Sequence, residues 1–161
     1  MSRKKKILWA ILVLLIIIQF FRPERNSGSA ASANDISHFT TVSPELQKVL
    51  STSCYDCHSD HTDYPWYTNI QPVGWWLNNH VEEGKQEINF SQFNTYRIKR
   101  KMRKFHEIVE MVEEKEMPLN TYLWIHKDAK LNESQTKLLI DWAKENENML
   151  ELQYPDSITK K

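Results

Sequence analysis

Apolar positions along the chain follow two patterns. The first is a continuous run of 15 residues, Ile7 to Phe21, interrupted only by Gln19 and preceded by Arg3-Lys4-Lys5-Lys6. As a helix it would extend about 22 Å at ~1.5 Å per residue, short of the ~30 Å hydrocarbon core of a bilayer. Lys6 and Arg22 flank the run, and basic side chains can snorkel to close part of that gap. A basic cluster before an apolar run reads as a signal sequence or membrane anchor, with the basic end kept in the cytoplasm. A cleaved signal is the weaker alternative: Phe20-Phe21-Arg22-Pro23-Glu24-Arg25 follows the run, and the small-residue site Ala31-Ser32-Ala33 lies well beyond it. Residues 1–21 are therefore expected as a signal anchor or transmembrane segment.

The second pattern is helical periodicity. Ser43-Pro44 looks like an N-cap with proline at the first helical position, opening a helix over 45–52. Pro72 opens another, in which Val73, Trp76, Leu77, His80 and Val81 form one apolar stripe, with Gly84 as its C-terminal stop. A long helix is expected over roughly 94–116, its stripe made by Ile98, Met102, Phe105, Val109 and Val112, with Pro118 ending it. Asn132 with Gln135 three residues on has the form of a capping box. The helix after it should bury Leu138, Leu139, Trp142 and Met149. Residues 59–71 read as an ordered loop, and no long alternation of the strand type is present. The fold class expected is all-α, behind the N-terminal anchor helix.

Composition refines this picture. Residues 22–33 are polar and small, and the interval 22–40 reads as a flexible linker before a domain over 41–161. The formal net charge is zero, from 21 basic and 21 acidic side chains. That balance argues against a nucleic-acid binder. It is an average over two regions: from Asn34 onward there are 15 basic and 20 acidic side chains. Six each of Trp, Tyr and Phe provide material for a core. The long helix crowds Arg97, Lys99, Arg100, Lys101, Arg103 and Lys104 into its first half and glutamates into its second, against the helix dipole. A solvated face with pairs such as Arg103–Glu107 is the expected role. The sharper alternative is a basic patch for an acidic partner or for the acidic groups of a cofactor.

Candidate chemistry concentrates in Cys54-Tyr55-Asp56-Cys57-His58. Two thiols three positions apart can add to the two vinyl groups of one haem, and the adjacent His then supplies an axial imidazole. Cys54, Cys57 and His58 are the expected haem-binding residues. Three alternatives use the same residues. A zinc site would need two further ligands from His61, His80 or a carboxylate. A dithiol oxidoreductase normally needs a βαβ setting, and a plain disulfide needs only the two cysteines.

The sequence resembles the bacterial haem-binding domain family, membrane-anchored or exported proteins with one C-x-x-C-H and a cytochrome-c-like helical domain. The resemblance covers roughly 46–142. It is carried by Cys54 to Ser59, Tyr64-Pro65-Trp66-Tyr67, Pro72-Val73, Gly84 with Asn89-Phe90-Ser91, Met117-Pro118, Tyr122, His126 and Leu131 to Trp142. It implies one covalently attached haem c more firmly than any physiological role.

The sixth iron ligand is the least determined feature. Met117 lies 59 residues after His58, directly before Pro118, at an expected helix-to-loop junction. That placement resembles the Met-Pro pair of small monohaem cytochromes c. Ordinary core packing is its competing role. His80, on an apolar stripe, is the rival ligand. His61 is too near His58 to reach the opposite haem face. His106 is expected half-exposed, His126 bonded locally, and Met102 and Met111 in core packing. Trp66, Tyr67, Trp75, Trp76 and Trp124 are candidates to line the haem crevice, and Pro65 or Pro72 to offer a carbonyl to His58.

The expected function is electron transfer by a haem c protein at the outer face of the cytoplasmic membrane, with His58 and Met117 on the iron. It is expected to be a carrier and not an enzyme. The alternative is a haem-based sensor or peroxidase-like enzyme with an open sixth position. The membrane is the expected partner through the anchor, together with a redox protein that the sequence does not name.

Overall fold

The computed structural model describes residues 1–29 and 32–155. Ala31 of the small-residue site and residues 156–161, the end of the expected domain, lie outside the described residues. The described residues form helices α1 (Arg3–Ile18), α2 (Pro44–Ser53), α3 (Tyr55–His58), α4 (Val73–Glu87), α5 (Ile98–Glu113), α6 (Asn120–Leu123) and α7 (Glu133–Gln153). Short 3-10 turns join them at Ile36–His38, Trp66–Asn69, Phe90–Thr95 and Lys127–Ala129. No strand occurs among the described residues, which hold one isolated bridge between Ser27 and His61. The all-α expectation stands.

Local chemistry sets several of these boundaries. The Ser43 side chain accepts from the Leu46 N–H, and Pro44 takes the first helical position of α2. Asn132 and Gln135 complete a reciprocal capping box at α7. The long helix starts later than periodicity suggests. Arg97 is extended, and the preceding residues form the Phe90–Thr95 turn, capped by the Asn89 side chain on the Ser91 N–H. It also ends earlier, at Glu113, four residues before Met117.

The core sits between the antiparallel-patterned stripes of α5 and α7, with α2 across them. Phe105 is fully buried and meets Phe93 at 5.2 Å and Trp142 at 5.4 Å between ring centroids. Burial of each such ring stabilises by about 1.5–3 kcal/mol. Met102, Val109 and Val112 of α5 join them, as do Leu139 and Leu150 of α7. Met149, expected inside, faces out, because Leu150 occupies the inward position. The α4 stripe is corrected more strongly. Of its five members only Val81 is buried, whereas Val73 and Trp76 are exposed.

Two other expectations change. The interval 22–40 does not hang free as a linker. Asn26, Asp35 and Ile36 are buried, and Asn26 donates to the Ser59 carbonyl and to Thr62 Oγ1, both at 2.9 Å. Lys101 and Lys104 turn inward instead of joining a solvated face. Lys101 Nζ lies 3.8 Å from the Phe39 ring centroid and donates to Asn94 Oδ1. The Arg103–Glu107 pair forms as expected, at 3.4 Å.

The anchor expectation is not supported as a span. Helix α1 has 16 residues, and no described helix is long and apolar enough to cross a membrane. Its Ile7–Ile17 side chains are exposed on all sides. Its end is tied down: Gln19 Nε2 donates to the Gln71 carbonyl at 3.1 Å, and the Gln71 N–H donates to Gln19 Oε1 at 2.8 Å.

Candidate haem site

A single apolar cavity of about 640 Å³ gathers the chemistry-bearing residues. Cys54, Cys57 and His58 form one wall, from the end of α2 and from α3. His80, Gly84 and Ile88 continue it along α4. Ile108, Met111 and Val112 of α5 line it too, and Met117, Pro118, Leu119 and Tyr122 complete the lining from the segment after α5.

His58 is held with unusual definition. Its Nδ1 lies 2.8 Å from the Gly84 carbonyl and 3.1 Å from that of Ile88. A carbonyl only accepts, so Nδ1 carries the proton, and in the neutral ring Nε2 holds the lone pair a metal needs. Such a carbonyl bond also fixes the ring plane of a ligand His. Burial lowers the His58 pKa, only partly offset by the two carbonyls, so the ring is neutral near pH 7. The carbonyls expected from Pro65 or Pro72 thus come instead from the C-terminal turn of α4.

That contact requires close approach of α3 to α4. A Cβ on Gly84 would stand 2.6 Å from the Cys57 carbonyl oxygen. Gly84 is therefore not the stop of its helix, as expected, but the point where α4 meets the motif. The two residues between the cysteines anchor the loop. Tyr55 is buried and stacks on Phe90 at 5.4 Å. Asp56 accepts from the Tyr122 hydroxyl at 2.6 Å and from the Asp63 N–H at 3.1 Å. Asp60 accepts from Asn89 and Gln92 at 2.7 and 2.6 Å.

Both thiols are pushed up. Burial and the neighbouring Cys57 raise Cys54 to about 12, and burial and Asp56 raise Cys57 to about 11. They stay protonated at neutral pH, the opposite of a reactive dithiol, whose nucleophile has a depressed pKa. Both are free thiols here. Among the described residues no group of three or more His, Cys, Asp or Glu is arranged to hold a metal ion. The zinc alternative therefore lacks its further ligands.

The far wall is built by a turn. After α5 the Lys115 N–H bonds to the Val112 carbonyl at 3.3 Å and the Glu116 N–H to the Met111 carbonyl at 2.9 Å. This is the Schellman pairing, with Lys115 left-handed at φ 60° where glycine is usual. The turn brings Met117 to the cavity it shares with His58. Met111 lines the same space, a place its mid-helix position did not suggest. Lys104 also reaches the wall, paired with Glu107 and, at 3.2 Å, with Glu87.

The remaining candidates fall elsewhere. Trp66, Tyr67, Trp75, Trp76 and Trp124 do not line the cavity, whose aromatic members are Phe90 and Tyr122. His80 lines it, with Nδ1 2.8 Å from the Trp76 carbonyl. His61 bonds to the Gly28 carbonyl, His106 pairs with Glu147, and His126 stacks on Tyr122 at 4.2 Å.

Residues 13–145 match the family model described as Haem-binding domain. The chain belongs to that family. No curated protein and no solved structure matches it. Membership supports haem as the cofactor of this haem-binding domain, and the cavity fits it. The space is apolar, a neutral imidazole of fixed tautomer sits in its wall, and two protonated thiols adjoin that imidazole. No local pattern announced the Gly84 and Ile88 carbonyls or the Tyr122–Asp56 bond, because each joins residues distant in sequence.

Proposed function

We propose that the protein holds one haem c through Cys54 and Cys57, with His58 and Met117 as the residues that would hold its iron, and carries electrons outside the cytoplasm. The observation that carries this reading is the convergence of Cys54, Cys57, His58 and Met117 on one apolar cavity. Each S–H would add across one vinyl double bond, sulfur to one carbon and hydrogen to the other, with no net oxidation. Bound haem would supply the one-electron couple of its iron. The chain's part is to exclude water, to fix the imidazole through Gly84 and Ile88, and to present the Met117 thioether, which favours reduced iron. With His58 and Met117 both holding the iron, the site would serve electron carriage and not catalysis.

We further propose that α1 inserts into the cytoplasmic membrane, with Arg3–Lys6 on the cytoplasmic side and the domain exported. Residues 19–21 continue the helix by N–H bonds to carbonyls three residues back, all at 3.2 Å. The structured apolar length then reaches Phe21, and basic residues flank both ends.

His80 favours a second reading, bis-His ligation, since it lines the same cavity and its Nδ1 faces a carbonyl. The test is the protein made with a haem c maturation system. A covalent stain on denaturing gels should vanish in Cys54→Ala/Cys57→Ala, and retention would refute attachment. The oxidised protein should show the weak iron–sulfur charge-transfer band at the red edge of the visible spectrum. Met117→Ala should abolish the band and His80→Ala should keep it. A coordination change only on losing His80 would establish bis-His ligation. A five-coordinate iron that binds carbon monoxide readily would favour the sensor or peroxidase-like alternative.

A further inference from the structure

Five large side chains have no role in the cavity or the core. Trp66 is 76 % exposed, and Ile70, Val73, Trp75 and Trp76 are exposed with it. They come from the Trp66–Asn69 turn, the residue after it, and the first turn of α4. These segments touch: a Cβ on Gly74 would collide with the Thr68 carbonyl. Monomeric proteins rarely leave so contiguous an aromatic and aliphatic set in water.

The position of this set is what identifies its partner. It adjoins the end of α1, where Phe20 and Phe21 are also exposed. The Trp75 indole N–H donates to the Phe21 carbonyl at 2.6 Å, and Gln19 and Gln71 bond reciprocally beside it. Three hydrogen bonds thus fix the face relative to the helix axis. Arg22 follows directly. Arg25 lies over the Tyr64 ring and donates to Asn69 Oδ1 at 2.6 Å, at the rim of the same turn. Trp side chains flanked by Arg, at the end of an apolar helix with Lys at its other end, match the polarity profile of a bilayer interface.

We propose that the face formed by Trp66, Ile70, Val73, Trp75 and Trp76 rests in the lipid headgroup layer. This rests on the reading of α1 as membrane-inserted and adds a docking surface to it. Helix α4 then becomes a spacer. Val73 is at the lipid, and His80 lies seven residues on, about 10 Å at ~1.5 Å per residue. His80 lines the cavity, so α4 connects the docking face directly to the haem pocket.

Collisional quenching tests it on the full-length haem-loaded chain in vesicles of phosphatidylcholine and phosphatidylglycerol. Each variant keeps the buried Trp142 as a constant background and one of Trp9, Trp66 or Trp75, the others changed to Phe. Lipids brominated near the headgroup should reduce emission from Trp66 and Trp75. Lipids brominated deep in the chains should reduce emission from Trp9. Quenched Trp9 with unquenched Trp66 and Trp75 would overturn the docking face and keep the anchor. Unquenched Trp9 would remove the anchor reading, and the face with it. A blue-shifted Trp75 that bromolipids cannot reach would show that a second copy or another protein covers the face, which also overturns the proposal.

Discussion

The two walls of the cavity are built by different means. The wall bearing Cys54, Cys57 and His58 is fixed many times over: two carbonyls on His58, a glycine-only approach at Gly84, and the Asn26 and Asp60 hydrogen-bond networks behind the loop. The wall bearing Met117 depends on the turn after α5 and on a few side-chain contacts, chief among them the bond from Tyr122 to Asp56. The difference separates what must be rigid from what can yield. On the proposed reading, covalent attachment would need two sulfurs and an imidazole in register at once. A sixth ligand would be a single bond, and its wall could shift without losing the cofactor.

The largest effect should come from the rigid wall. Alanine in mid-helix normally stabilises by about 1 kcal/mol over glycine. Gly84→Ala should do the reverse. Its Cβ would meet a backbone oxygen at 2.6 Å, and such overpacking costs about 1–3 kcal/mol. Urea unfolding of the haem-loaded protein reads the sign. A stabilised variant would show that α3 and α4 have room to separate, and the contrast between the walls would collapse.

Next is the bond that joins the walls. Tyr122→Phe removes the hydroxyl held by Asp56, for an expected loss of about 1 kcal/mol. If the bond positions Met117, the variant should also weaken the iron–sulfur band while covalent haem stays complete. Lost stability with an unaltered band would make Tyr122 structural only.

The same asymmetry decided what could be read from residues alone. Local devices were legible: the Ser43 cap with Pro44, the Asn132–Gln135 box, and C-x-x-C-H itself each lie within five positions. The α5 stripe was legible because four of its five members are buried in one core and the fifth, Ile98, packs against it. What failed was long-range. Gly84 has the composition of a helix stop, yet its missing side chain serves Cys57, 27 positions earlier. Asn26 belongs to a polar, small-residue interval, and polarity alone does not distinguish a linker from a hydrogen-bonded strap. Large apolar rings suit a porphyrin, which makes the tryptophans candidates for the crevice. The crevice is lined mainly by aliphatic and sulfur side chains instead, and none of the candidate tryptophans lines it.

The smallest effect tests the yielding wall alone. Lys115 holds φ 60°, a conformation that costs a residue with a Cβ roughly 1–2 kcal/mol. Glycine escapes that cost but loses more freedom on folding, by roughly 0.5–1 kcal/mol. Lys115→Gly should therefore stabilise the protein by about 0.5–1 kcal/mol. Both Schellman bonds are backbone bonds, so the turn should keep its shape and the Met117 band its intensity. Lys115→Ala separates backbone from charge, because it removes the ammonium and keeps the Cβ. Calorimetric melting of the three proteins should place alanine with the wild type and glycine above both. Equal changes in both variants would assign the effect to loss of the lysine side chain and not to the backbone conformation. A gain in stability that came with a lost band would mean that strain at Lys115 helps to press Met117 towards the iron, and the far wall would then be sprung and not merely loose.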